Sequence, residues 1–160
     1  MAGSTTKKAV VERFEKESLC GYVNQVSFLQ PTGIEMLSAQ GNIALVPYAE
    51  VKALIFVRDF EPAGVTRRIF LTRPKMEGLW VRLRFRDDDV MEGVVPNNLL
   101  QIEHYGFTVI PPDSFGNHQR LFVPRTALRS VEVLGVVGSP LTRRKAKAAP
   151  SKEQIGLFEE

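Results

Sequence analysis

The chain has 160 residues and a formal net charge of +3, with 44% apolar and 24% charged side chains, a balance expected of a soluble globular protein and not of one dominated by disorder. No apolar run of about 18 residues spans a bilayer, and the opening MAGSTTKKAV lacks the apolar centre of a secretory signal, so a cytoplasmic chain is expected. The single cysteine, Cys20, excludes an intrachain disulfide and a cysteine cluster for zinc.

In chain order, VVERFEKESLCGYV (residues 10–23) reads as a strand, a polar turn at 16–18 and a second strand that bends at Gly21. Cys20, a small apolar residue before that bend, is expected in the core. Short strands follow near 26–29, 33–38, 43–46 and 51–57, and PYAE before the last of them has the length of one tight 3₁₀ turn. Residues 60–78 form a linker containing Arg67 and Arg68. Trp80 and the phenylalanines Phe56, Phe60 and Phe70 are expected to pack the halves together across it.

The pattern then starts again. VRLRFRDDDVMEGVV (81–95) places Val81, Leu83 and Phe85 on one side of an extended segment and Arg82, Arg84 and Arg86 on the other, turns at Asp87, Asp88 and Asp89, and bends at Gly93. Laying Phe14 on Phe85 aligns Val10 with Val81, and one extra residue in the second copy brings Gly21 onto Gly93 and Cys20 onto Met91. Downstream, GIEML (33–37) matches GFTVI (106–110), GN recurs at 41 and 116, and LVPYAEVKALIFV (45–57) matches FVPRTALRSVEVL (122–134). Strands are expected near 99–103, 106–110, 120–123 and 128–134. Four landmarks in one order imply duplication of a unit of about 55 residues. The fold expected is all-β: two tandem, internally duplicated five-stranded barrels at residues 7–59 and 79–135, with a basic tail at 136–160. Closure into barrels hides the edges that such short strands otherwise expose.

The hairpin with its bend glycine resembles the opening half of an Sm motif, and VPxxxV or VPxxxL resembles the turn before the last SH3 strand. VKALIFVRDF (51–60), the duplication and the tail together resemble bacterial tandem small-barrel proteins of unknown function, found in some cases beside PilZ domains. That resemblance covers about residues 7–135. Pro47-Tyr48-Ala49 and Pro124-Arg125-Thr126 depart from the Arg-Gly pair with which Sm rings bind RNA. The paired aromatics of an SH3 polyproline site are missing, and Arg67 and Arg68 lack the DxSxxG motif of cyclic-dinucleotide binding.

Charge does not mark either half as a binding surface. Residues 7–59 hold six basic and six acidic side chains and residues 79–134 six and seven, so the excess lies in the linker and tail. Arg82, Arg84 and Arg86, with Arg67 and Arg68, are the residues a nucleic-acid reading would use, although the aspartates beside them favour a self-neutralising face. A groove between the barrels near Arg58, Arg67 and Arg68 is the place for a small ligand such as a nucleotide. The aspartates lack calcium-loop spacing. His104 and His118 belong to no catalytic motif, so no enzyme, metal or cofactor is expected.

The tail is the sharpest feature. Residues 139–153 have little to bury and are expected to be disordered, and QIGLFEE follows. Gln154, Leu157 and Phe158, in the spacing Q-x-x-L-F, resemble the pentapeptide by which bacterial replication and repair proteins bind the sliding clamp. The alternative is that Ile155, Leu157 and Phe158 cover a patch on the protein's own barrels. The expectation is a non-enzymatic interaction module whose tail, through Gln154, Ile155, Leu157 and Phe158, docks on a partner protein.

Overall fold

In the computed structural model, which describes residues 6–60 and 67–138, regular structure consists of strands and single 3₁₀ turns. The first half holds β1 (Thr6–Arg13), β2 (Leu19–Asn24), β3 (Gly33–Leu37), β4 (Ile43–Pro47) and β5 (Val51–Val57), with a 3₁₀ turn at Tyr48–Glu50. The second holds β6 (Gly78–Phe85), β7 (Val90–Val95), β8 (Gly106–Val109), β9 (His118–Pro124) and β10 (Leu128–Val137), with 3₁₀ turns at Leu99–Gln101 and Arg125–Ala127. Each half therefore carries five strands in the same order, with the expected turn after Pro47 or Pro124 and before the last strand. No helix among the described residues is long and apolar enough to cross a membrane.

The all-β class is as expected, but hydrogen bonding does not separate the halves. One sheet has seven strands in the order β4-β3-β2-β1-β5-β9-β8, and the other has β10-β6-β7. All the pairings are antiparallel, and a bridge between Val94 and Ile110 ties β7 to β8. Instead of pairing with β4 of its own half, β5 takes β9 of the other, matching Leu54 with Phe122 and Ile55 with Leu121.

This junction is written into β5, whose sequence VKALIFV is an almost unbroken apolar run, the mark of a strand buried on both faces. Leu54 and Phe56 enter a core with Ala9, Val11, Val23 and Ile34. From the opposite face, Ala53, Ile55 and Val57 enter a second core with Val81, Leu83, Phe85 and Val109. β9 is divided in the same way: Phe122 enters the first core while Leu121 and Val123 enter the second. Phe28 holds Phe122 and Phe56 edge-on at 5.9 and 5.6 Å between ring centroids.

Several local expectations change. Ala9 pairs with Gly21 as Val81 pairs with Gly93, so the counterparts are Ala9 and Val81, Val11 and Leu83, one residue away from the Phe14–Phe85 alignment. A one-residue slip turns every side chain to the other face. That is why Cys20 is exposed rather than buried: it lies opposite Val10, on the side of β1 away from Ala9 and Val11. The bend glycines hold, because a Cβ at Gly21 would come within 2.6 Å of the Leu37 carbonyl oxygen and one at Gly93 would strike the Val109 side chain.

The expected strands near 26–29 and 99–103 are instead closed by asparagine side chains. Asn24 accepts from the Val26 amide at 2.9 Å, and Asn98 from Leu100 at 3.0 Å, local bonds that compete with a ladder. Trp80 does not bridge the halves: its ring meets Phe70 edge-on and its Nε1 donates to Glu92 at 3.1 Å. Phe56 does join the halves, but from within the first core, where it lies with Phe122 and under the Arg120 guanidinium; Phe60 packs edge-on against Tyr22 at the rim of the second.

Because both cores share β5 and β9, the halves should unfold together. Urea denaturation followed by the single tryptophan and by far-ultraviolet circular dichroism should give coincident curves. Phe122→Ala, although its residue lies in the second half, should empty the first core and lower stability by about 3–5 kcal/mol. Two separated transitions would contradict the shared-strand arrangement.

Candidate functional site

The turn between β1 and β2, the 3₁₀ turn at Tyr48–Glu50, the start of β5 and the β6–β7 turn converge where the halves meet. They surround an open groove of about 780 Å³ lined by Phe14, Lys16, Glu50, Lys52, Arg86 and Asp87. A second cleft of about 320 Å³ is lined by Arg67, Arg68, Phe85, His118 and Leu121. Glu12 and Lys52 line both.

Lys52 occupies the one polar position in the first half of β5, and it is the electrostatic centre of the region. Its Nζ lies 2.8 Å from Asp87 Oδ2 and 2.9 Å from Asp89 Oδ2, above the Phe85 ring at 5.1 Å. Burial opposes the charge on Lys52, but the hydrogen bonds to Asp87 and Asp89 outweigh it and raise its pKa above the ordinary value. The same bond from Lys52 holds the Asp87 carboxyl below its usual range. Across the groove the hydrogen bond from Lys16 lowers the pKa of Glu50. Burial pushes the His118 imidazole down, with Glu12 acting in the opposite sense. Tyr48, stacked on Tyr105 at 5.0 Å and donating to the Gln30 carbonyl at 2.6 Å, is pushed up to about 12 by burial and by Tyr105.

The basic ladder is divided among internal partners. Arg82 lies 3.7 Å from Glu92 and 3.6 Å from Glu132, whereas Arg84 is exposed. Arg86 donates to the Ala49 carbonyl at 2.6 Å and lies over the Phe14 ring at 3.9 Å, so it fastens one half to the other. Arg68 pairs with Asp89, and its carbonyl accepts from the Glu92 amide at 2.8 Å. Arg67, exposed, stands at the mouth of the smaller cleft with Arg68. Arg58 lies away from it, its amide bonded to Asn117.

The three aspartates form the expected turn, with Asp88 at a φ of 68°, and they face Lys52, Arg68 and Arg129 rather than a common cation site. Among the described residues no group of three His, Cys, Asp or Glu side chains is placed to hold a metal ion. Gln154, Ile155, Leu157 and Phe158 lie outside the described residues. Sequence reasoning missed Lys52, Glu12 and His118 as neighbours in one cleft. A lysine inside the apolar run of β5 was the available signal, but its partners are 35 and 37 residues away.

Lys52→Met should remove the bond that holds Asp87 low. The folded-state pKa of Asp87 lies below the ordinary value of 3.8, so its contribution to stability is present above that pH and is lost as pH falls through the lowered folded value. Urea unfolding at stepped pH should show the wild type ahead of the variant by about 1 kcal/mol near neutrality, with the gap closing below pH 3.8. A gap that stays constant down to strong acid would contradict the pairing.

A family described as being of unknown function, DUF6982, matches residues 5–135. No curated protein and no solved structure matches the chain. The family match runs from the start of β1 into β10, across both halves and the groove between them, and on that extent the chain belongs to the DUF6982 family.

Proposed function

We propose that the protein is a non-enzymatic interaction module, a body of two fused Sm-like or SH3-like small-barrel halves that carries a docking peptide at Gln154, Ile155, Leu157 and Phe158. The observation that carries this reading is the internal use of the basic residues. Arg82, Arg86, Arg68 and Lys52 each have partners within the body, which leaves little of a track for a polyanion. A rigid body with a peptide on a tether suits an adaptor, because tethering raises the local concentration of the peptide at a partner. The Q-x-x-L-F spacing points to the bacterial sliding clamp as that partner, its Leu and Phe filling an apolar pocket and its Gln hydrogen bonding beside them.

A second reading rests on the smaller cleft, where Arg67, Arg68 and Lys52 line a space of about 320 Å³ between the halves. Arg67 is exposed there, and a compact anion such as a nucleotide would bind by drawing Lys52 and Arg68 away from Asp87 and Asp89. On this reading the chain is a small-ligand sensor, with the shared strands coupling occupancy to both cores.

Gel filtration of the protein mixed with the sliding clamp should show co-elution, lost when residues 154–158 are removed; identical profiles for the two forms would overturn the docking assignment. A thermal-shift screen against nucleotides separates the second reading from the first. A ligand at a hundred times its Kd should stabilise the protein by about 2.7 kcal/mol, and Arg67→Ala with Arg68→Ala should abolish that shift. Oligonucleotide binding that weakens steeply with salt would instead favour a nucleic-acid function.

A further inference from the structure

The sheet order leaves β4 at one end and β10 at the other, each hydrogen bonded along only one edge among the described residues. Such edges present unpaired amides and carbonyls to any strand that fits them. These two edges are the counterparts of a pair already joined within the chain. By the VP-turn alignment β10 corresponds to β5 and β4 to β9, and the registers agree. Leu54 opposes Val11 as Val131 opposes Leu83, and Leu45 opposes Glu35 as Phe122 opposes Thr108.

We infer that β10 of one molecule pairs with β4 of a second copy, repeating between chains the β5–β9 joint found within each chain. Transferring the internal register, in which Leu54 faces Phe122 and Phe56 faces Arg120, sets Val131 against Leu45 and Val133 against Ile43. These four side chains are 37%, 49%, 56% and 72% exposed respectively, whereas Leu54 and Phe122 at the internal joint are fully buried. Leu45 then enters the second core where Phe122 enters the first. Ile43 stands in the place of Arg120, whose guanidinium covers the Phe56 ring at 4.3 Å, so an apolar pair replaces a cation over an aromatic face.

The joint between chains is weaker than the internal one. On its other face β10 offers Ser130 and Glu132 where β5 has Ala53 and Ile55, and Glu132 is already beside Arg82. Association is therefore reversible and depends on concentration. The contact uses different surfaces on its two sides, so it is head to tail, and copies close into a ring or continue as a filament.

Sedimentation velocity on the full chain across a concentration series tests this, with Ile43→Lys to block the β4 edge and Val133→Lys to block the β10 edge. Both sites are exposed, so the variants should keep the wild-type circular dichroism and melting temperature. Wild type should reach at least two chains as concentration rises, and each variant alone should stay monomeric. An equimolar mixture of the two variants should form a two-chain species and stop there, since it retains one competent joint. A monomeric wild type throughout, as would occur if residues 139–160 cover β10 of their own chain, overturns the inference. So does either variant assembling alone, or a mixture that does not associate.

Discussion

The structure depends on the antiparallel ladder between β5 and β9. A strand in the interior of a sheet must satisfy the hydrogen bonds on both edges, and β5 does so with β1 from its own half and β9 from the other. Its two faces are equally committed, Leu54 and Phe56 to one core and Ala53, Ile55 and Val57 to the other. Exposing either face would return several large aliphatic or aromatic side chains to water, at roughly 1.5–3 kcal/mol each. Neither half is therefore a free-standing unit: the first core is completed by Phe122, and the second is completed by residues of β5.

The charged groove follows from the same joint. Bringing β5 against β9 sets the two 3₁₀ turns side by side, and Thr126 Oγ1 donates to the Tyr48 carbonyl at 3.1 Å while Tyr48 stacks on Tyr105. It also brings the β1–β2 and β6–β7 turns to face one another, which places Phe14 beneath Arg86 and Lys52 between Asp87 and Asp89. The described part of the linker, from Arg67 onward, is held against β7. Glu92, a buried carboxylate, accepts from Trp80 and from the Phe70 amide, and its own amide donates to Arg68. Arg67 and Arg68 reach the smaller cleft because of this anchoring.

What the sequence made legible was local. Period two in VRLRF, the polar turns, the bend glycines and the single turn after each VP are dictated by neighbours within a few residues, and the structure has them where they were expected. The first hairpin was misaligned by one position because Val10 and Val11 are adjacent and equally apolar; only the pairing of Ala9 with Gly21 decides which faces the core. The partners of Lys52 and Arg86 were not legible, since they lie more than thirty residues away and meet only when the halves are joined. The joint itself left a trace that comparison of the repeats could have found. VKALIFV is apolar on both faces whereas its counterpart LRSVEVL is not, which marks one as an interior strand and the other as an edge.

Native-state amide hydrogen exchange measures the central joint most directly. If β5 and β9 are interior strands common to both cores, the amides of Leu54, Ile55 and Phe56 that bond across the joint and those of Leu121 and Phe122 should exchange only through global unfolding. Their opening free energies should then match one another and the stability from urea denaturation. Amides of β9 that open at markedly lower free energy while β1 and β2 remain protected would show two separable halves, and would contradict the account.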